Sequence, residues 1–234
     1  MGDAPPEAVR ELAPTGRLRA AINLGNPVLA QQDPGTGEPR GASVELAREL
    51  GRRLGLGIEL VTFDSAGKAF AALRSGTCDV GFLAIDPARA ADLAFTASYL
   101  VIEGTYLVRS TSPLRSVEDF DREGVRIAAV KGAAYDLHLS RTLRHATLVH
   151  APTSLAALEL FLRDALDAAA GVRQPLEAFA AGNPGLRVLE GSFMAIGQAM
   201  ATPRDREAGA GFLDTFVAEV RASGFVDRVL GTGG

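Results

Sequence analysis

Short apolar runs alternate with segments of helical period along most of this chain, and that order limits its fold more than any other feature. Leu18 to Asn23 reads as a strand, and Ser43 to Leu54 sets Val44, Ala47, Leu50 and Leu54 on one helical face. Ile58 to Phe63 is again a strand, Ala69, Phe70 and Leu73 mark a short helix, Val80 to Leu83 is a strand, and Asp86 opens another helix. A βαβα order implies a parallel sheet with helices on both faces, so the fold class is α/β. Thr105 to Val108 leads into RSTSPLRS, a Ser/Thr/Pro stretch that punctuates the chain. A second α/β series follows. Its strands are Val125 to Val130, Ala146 to Val149, Ala168 to Gly171 and Arg187 to Leu189, and its helices carry Leu139 with Leu143, and Leu155 with Leu158 and Leu162. After Gly191 come a strand, Met194 to Ala199, and a helix with Leu213, Phe216, Val217 and Val220 on one stripe. These either finish the second series or return to the first.

Composition excludes several function classes. The chain has 234 residues, 47% hydrophobic and 22% charged, enough for a proper core in one large or two small domains. Its formal net charge is −4 and its basic residues are scattered singly, so nucleic acid is not an expected partner. Cys78 is the single cysteine, which leaves no internal disulfide or thiolate cluster, and His138, His145 and His150 lack HExxH spacing. No metal or cofactor is therefore expected. Neither GxSxG nor a phosphate-binding glycine loop is present. The stretch MGDAPPEAVRELAPTGRLRA lacks the apolar core of a secretory signal, and no apolar run approaches the roughly 20 residues of a membrane helix. No export or anchoring device is read from the chain as written.

Local chemistry is richest between Asp79 and Tyr99, DVGFLAIDPARAADLAFTASY. Asp86 is a good N-cap and Pro87 suits the first helical position, which predicts a short helix from Asp86 to about Ala91. Arg89 would then stand in its first turn. A planar guanidinium beside a positive helix end can hold a small carboxylate, although an arginine there is most often a solvated surface residue.

Six segments, in order, resemble those of the bacterial solute-binding proteins of the amino-acid-binding type, family 3. They are LRAAINLGNP, RGASVELARELGRRLG, LRSGTCDVGF, IDPAR, AFTASYL and the ending VRASGFVDRVL, which is similar to the family's closing helix of the first lobe. The resemblance covers almost the whole chain. It implies a type II bilobal fold: two α/β lobes, each a mixed sheet flanked by helices, joined by two hinge crossings and closing on a ligand. Lobe one would comprise residues 17–107 plus 192–234, lobe two 108–191, and residues 1–16 an N-terminal extension. The family further implies a periplasmic protein, a monomer, that delivers its ligand to an ABC-type membrane permease. The missing secretory signal leaves a cytoplasmic location open.

The resemblance also implies site residues. Arg89 matches the family arginine that pairs with the ligand's α-carboxylate, and Leu83, Ala84 and Ile85 match the loop offering backbone groups and a hydroxyl, which Ala84 lacks. Lys131, Gly132, Ala133, Ala134 and Tyr135 match the turn of lobe two that enters a helix; Tyr135 reads either as a ligand contact or as a core aromatic. Lys68 is a secondary cation. Asn23 and Asn26 stand where the family usually supplies an aromatic wall, which suggests a smaller, more polar ligand. Where amino-acid binders carry an ammonium-binding aspartate, this chain has Val172, followed by Arg173. The expected ligand is thus a small carboxylate without a free α-amino group, or with a second acidic group, held by Arg89 and by Arg173 or Lys131. The alternative reading turns Arg173 outward to solvent or onto Glu177. No catalysis is expected. The alternatives are an enzyme resembling cyclohexadienyl dehydratase, for which Glu103 and Glu177 are the carboxyl candidates, and a cytoplasmic ligand-sensing domain.

Overall fold

The computed structural model describes residues 4–231. Expectations that touch Met1 and the ends of the 1–16 and 192–234 segments lie partly outside the described residues. The chain forms two compact units: unit 1 runs to Leu100 and resumes at Gly197, and unit 2 is Val101–Ile196. The crossings thus fall some residues away from the 107/108 and 191/192 boundaries read from the sequence.

The first pass through unit 1 contains α1 (Pro6–Leu12), β1 (Leu18–Asn23), a small hairpin of β2 (Gln31–Gln32) and β3 (Pro39–Arg40), α2 (Ala42–Leu54) and β4 (Ile58–Phe63). It continues through α3 (Ala66–Arg74), β5 (Val80–Ala84), α4 (Pro87–Ala90) and β6 (Leu93–Phe95), and the strand β7 (Leu100–Arg109) leads into unit 2. There a 3₁₀ turn at Val117–Phe120 precedes β8 (Arg126–Val130), α5 (Ala134–Thr142), β9 (Thr147–Ala151), α6 (Ser154–Arg163), β10 (Ala168–Val172), α7 (Arg173–Ala181) and β11 (Leu186–Val188). The strand β12 (Met194–Pro203) returns to unit 1, followed by α8 (Glu207–Ala222) and α9 (Phe225–Leu230).

In unit 1, β1 lies parallel to β4 along its whole length and parallel to β5 at Ala20↔Val80 and Ala21↔Gly81. The returning strand β12 runs antiparallel to β5, with Ala199 opposite Leu83, and also pairs with β6. Strand periodicity divides the core between the two faces. Ala20, Ile22, Val80 and Phe82 pack with Val44, Leu46 and Leu50 of α2 and with Leu213, Phe216, Val217 and Val220 of α8. Ala21 and Leu83 pack instead with Ala69, Ala72 and Leu73 of α3. Burying a large apolar side chain contributes about 1.5–3 kcal/mol, so the α8 stripe alone fastens the returning segment firmly.

Two sequence readings are corrected in this unit. Residues 1–16 read in sequence as a separate N-terminal extension, yet α1 packs on α8: Leu12 is fully buried and the Glu11 carboxylate accepts the Gly209 N–H at 2.8 Å. The closing segment VRASGFVDRVL is not one helix. Gly224 adopts φ +67°, a left-handed conformation that glycine takes at no steric cost, and there α8 gives way to α9.

Unit 2 repeats the scheme. Strands β9, β8 and β10 are parallel neighbours, β7 is antiparallel to β10, and β11 is antiparallel to β7. Its core joins Ile127, Val130, Leu139, Phe161, Leu166 and Leu176. Tyr106 stacks on Phe120 with centroids 4.2 Å apart.

Candidate functional site

An open α/β sheet forms its natural ligand crevice at the carboxyl ends of the strands where successive connections depart to opposite sides. In unit 1 the chain goes from β1 through α2 to β4 on one side, then through α3 to β5 on the other. The divergence lies between β1 and β5, and the segments leaving it are Asn23–Pro27 and Ile85–Arg89. Unit 2 has the same arrangement, with β8 leading to β9 on one side and β10 on the other. There the segments are Lys131–Ala133 and the start of α7. Each unit therefore gathers most of the residues singled out in its sequence at one sheet edge, Lys68 on α3 being the exception.

On the unit 1 edge, Asp86 caps α4 by accepting the Ala88 N–H at 2.9 Å, and the short helix it opens carries Arg89. Arg89 is not a surface residue: it is 2% exposed, and its Nη1 donates to the Ala84 carbonyl at 3.0 Å. Desolvation by burial pulls its pKa down to about 10, against the opposing attraction of Asp86. The guanidinium therefore stays charged at neutral pH in a place that disfavours charge. Leu83 and Ala84 are buried, Leu83 within the α3-side core, and the Ile85 side chain is exposed while its N–H meets the Gly197 carbonyl. Asn23 uses its Oδ1 to accept the Gly25 N–H at 3.0 Å. Asn26 is 9% exposed, and its backbone carbonyl accepts the Leu29 and Ala30 N–H groups. Lys68 lies on the surface and pairs with Asp64 at 2.7 Å, an exposed contact worth little.

On the unit 2 edge, Gly132 takes φ +78° and lets the chain turn from β8 into α5. Its N–H is accepted by Asp136 at 2.8 Å, and the same buried carboxylate receives His150 Nε2 at 2.7 Å. Sequence reading missed Asp136 and His150. The signal was an aspartate four residues after a turn glycine, a spacing that lets the side chain reach back to the turn. Lys131 is exposed, and Ala133 and Ala134 are buried. Tyr135 belongs to the core: its hydroxyl meets the backbone of Val130 and the side chain of Ser154, and burial raises its pKa.

Arg173 begins α7 and is occupied within unit 2. Its Nε donates to Glu103 at 2.5 Å, its Nη1 to the Leu189 carbonyl at 2.9 Å, and its Nη2 to the carbonyls of Glu190 and Gly191 at 2.8 and 3.1 Å. Glu177 stands 3.7 Å away. The reading of Arg173 as a cation waiting for ligand is thereby displaced by a structural brace, because each guanidinium nitrogen already meets an oxygen. Glu103 is the partner in that brace.

Among the described residues no helix is long and apolar enough to cross a membrane, and no cluster of three or more His, Cys, Asp or Glu residues could hold a metal ion. No curated protein sequence matches the chain. Solved structures of similar fold include a mutant of ArgBP from T. maritima, at 23% identity and TM-score 0.82, covering 95% of this chain and 97% of that one. A second is the amino acid ABC transporter substrate-binding protein AbpA from Streptococcus pneumoniae bound to L-arginine, at 20% identity and TM-score 0.81, covering 94% and 95%. A third is the ancestral amino-acid-binding protein AncCDT-1, a precursor of cyclohexadienyl dehydratase, at 20% identity and TM-score 0.79, covering 94% and 96%. At these identities the likeness shows the fold, the type II periplasmic-binding-protein fold. The family described as bacterial extracellular solute-binding proteins, family 3, matches residues 18–230, and the chain belongs to it.

Proposed function

We propose that this protein captures a small carboxylate-bearing metabolite and delivers it to an ABC-type permease, acting outside the cytoplasmic membrane as a binding protein rather than an enzyme. The observation that carries this reading is the burial of Arg89 at the divergence point of the unit 1 sheet. A charged guanidinium held against desolvation gains most from an anion, and a carboxylate matches its planar fork. AbpA, of similar fold, was solved with L-arginine, itself a carboxylate. Val172 supplies no acid for a ligand ammonium, so the reading favours an organic acid, or an atypical amino acid whose extra acidic group outweighs its amine.

Calorimetric titration with a panel of organic acids, amino acids and amines tests this. Organic acids should bind more tightly than amino acids with neutral side chains, and Arg89→Ala should weaken the best ligand by about 3 kcal/mol, roughly a hundredfold or more in Kd. Unchanged affinity in that variant would overturn the assignment of Arg89. Ligand recovered unaltered after prolonged incubation supports binding without catalysis, whereas accumulation of a dehydrated or decarboxylated product would refute it.

A further inference from the structure

The sheet of unit 1 ends on β4, which pairs with β1 on one side and with no strand among the described residues on the other. The ladder tells which groups are left open. The Leu18 N–H meets the Gly57 carbonyl at 3.0 Å and the Leu24 N–H meets the Phe63 carbonyl at 2.8 Å, so the odd-numbered residues of β4 turn their backbone groups toward β1. A strand residue points its N–H and C=O to the same side, and successive residues alternate. Ile58, Leu60 and Thr62 therefore each present an N–H and a C=O outward, away from β1.

Native proteins usually blunt such an edge with a proline, a lysine, a bulge, a very short strand or a covering segment. None of the first three is present in β4: its six residues, IELVTF, contain neither proline nor lysine and run beside β1 in unbroken register. Apolar side chains stay partly exposed on both of its faces, Ile58 and Leu60 beside the α2 core and Val61 and Phe63 beside the α3 core. Glu59 is the one charge on the strand.

We propose that β4 is the docking edge for a second copy of this chain, the two strands pairing antiparallel about a two-fold axis at Leu60. The outward groups fix that register. A hydrogen-bonded antiparallel pair exchanges both bonds, so outward residues must meet outward residues, and the register centred on Leu60 is the one that uses all of them: Ile58 with Thr62, Leu60 with Leu60, and Thr62 with Ile58. Glu59 then falls opposite Val61 of the second copy, so no like charges are directly opposed. Phe63 falls opposite Gly57. Gly57 offers no side chain, the Arg17 Nε lies 3.8 Å from where its Cβ would stand, and Arg17 makes no ion pair among the described residues. The incoming ring thus finds bare strand beside an unpaired guanidinium, and a cation near an aromatic face is attracted to it. Symmetry makes each of these contacts twice. A six-residue strand is small beside the about 20–30 residues a side of a standard interface, so the dimer is weak and depends on concentration.

Analytical ultracentrifugation of the full chain tests this. Between about 10 µM and 1 mM the wild type should pass from monomer toward dimer, and Thr62→Pro, which removes an outward N–H without touching the β1 ladder, should raise the dimer Kd about tenfold or more. Residue-resolved amide exchange gives a reading that needs no variant. Raising the wild-type concentration should slow exchange at Ile58, Leu60 and Thr62 and leave Glu59, Val61 and Phe63 unchanged, an alternation that a general gain in stability would not produce. A wild type that stays monomeric at about 1 mM overturns the proposal and leaves the edge to a different chain. A dimer of unchanged Kd in a folded Thr62→Pro protein, or a dimer that forms without the alternating protection, places the contact elsewhere and overturns it too. Should Thr62→Pro fail to fold, the exchange pattern of the wild type decides alone.

Discussion

Replacing Asp79 should unfold unit 1 at a markedly lower temperature. Asp79 immediately precedes β5, and its carboxylate is fully buried. It accepts Arg19 Nε at 2.8 Å, Arg19 Nη2 at 2.7 Å, the Arg19 backbone N–H at 3.0 Å and Arg206 Nη1 at 2.8 Å. Arg19 lies on β1 and Arg206 immediately precedes α8, so one acid ties the first strand and the start of the returning helix to the sheet centre. In Asp79→Asn two guanidinium groups lose their counter-charge. Breaking a buried pair from one side costs about 3–5 kcal/mol. Here the arginine side chains are 20% and 14% exposed, so water compensates them in part and the low end, about 3 kcal/mol, applies. For a protein of this size that corresponds to a fall in Tm of roughly 6–12 °C. The assay is thermal unfolding followed by far-UV circular dichroism, with Asp64→Asn as the control, because the exposed Asp64–Lys68 pair should shift Tm by no more than about 1–2 °C. Equal shifts for the two variants would refute the reasoning.

Two further predictions concern the surface and packing of α2. The Glu49 pKa is lowered to about 2, first by its hydrogen bonds with Arg52 and then by those with Arg53. Its contribution to stability is therefore complete above the ordinary carboxylate pKa and is lost as pH falls through that value toward about 2. Denaturation midpoints of wild type and Glu49→Gln should differ at pH 6 and converge near pH 2, and a constant difference would contradict the assignment. Gly51→Ala should destabilise despite better helix propensity, because the added Cβ would lie 2.2 Å from Ile58 Cγ2. Overpacking costs about 1–3 kcal/mol against a propensity gain of about 1, so chemical denaturation should show a net loss near 1 kcal/mol rather than a gain.

The architecture was legible because it is written in periodicity. Leu18–Asn23 and Ile58–Phe63 match the predicted strands residue for residue, and most other elements differ by a residue or two at their ends. Strand β7 is much longer than the Thr105–Val108 read from sequence, since Glu103 and Gly104 break the apolar run without breaking the ladder that pairs Gly104 with Val172. The short strand β6 and the Gln31–Arg40 hairpin carry too few apolar residues to register a period. The site was legible by type and less so by role. Arg89 shows in sequence as a helix-start arginine, but its burial depends on what the sheet edge packs around it. Arg173 shows as a free cation because its four acceptors, Glu103 and the carbonyls of Leu189, Glu190 and Gly191, are brought to it by separate segments. Backbone carbonyls leave no mark in a side-chain pattern.

The interrupted course of unit 1 has a consequence for synthesis. Unit 2 is one continuous segment, Val101–Ile196, whereas unit 1 awaits β12 and α8 from beyond it. While the ribosome makes unit 2, strand β5 lacks its antiparallel partner, and the apolar face formed by Ala20, Ile22, Val80 and Phe82 lacks Leu213, Phe216, Val217 and Val220. The half begun first is thus the half completed last. An unpaired strand and an uncovered apolar face favour aggregation in a nascent chain. Until residues 197–222 emerge, that strand and that apolar face have no cover from their own chain.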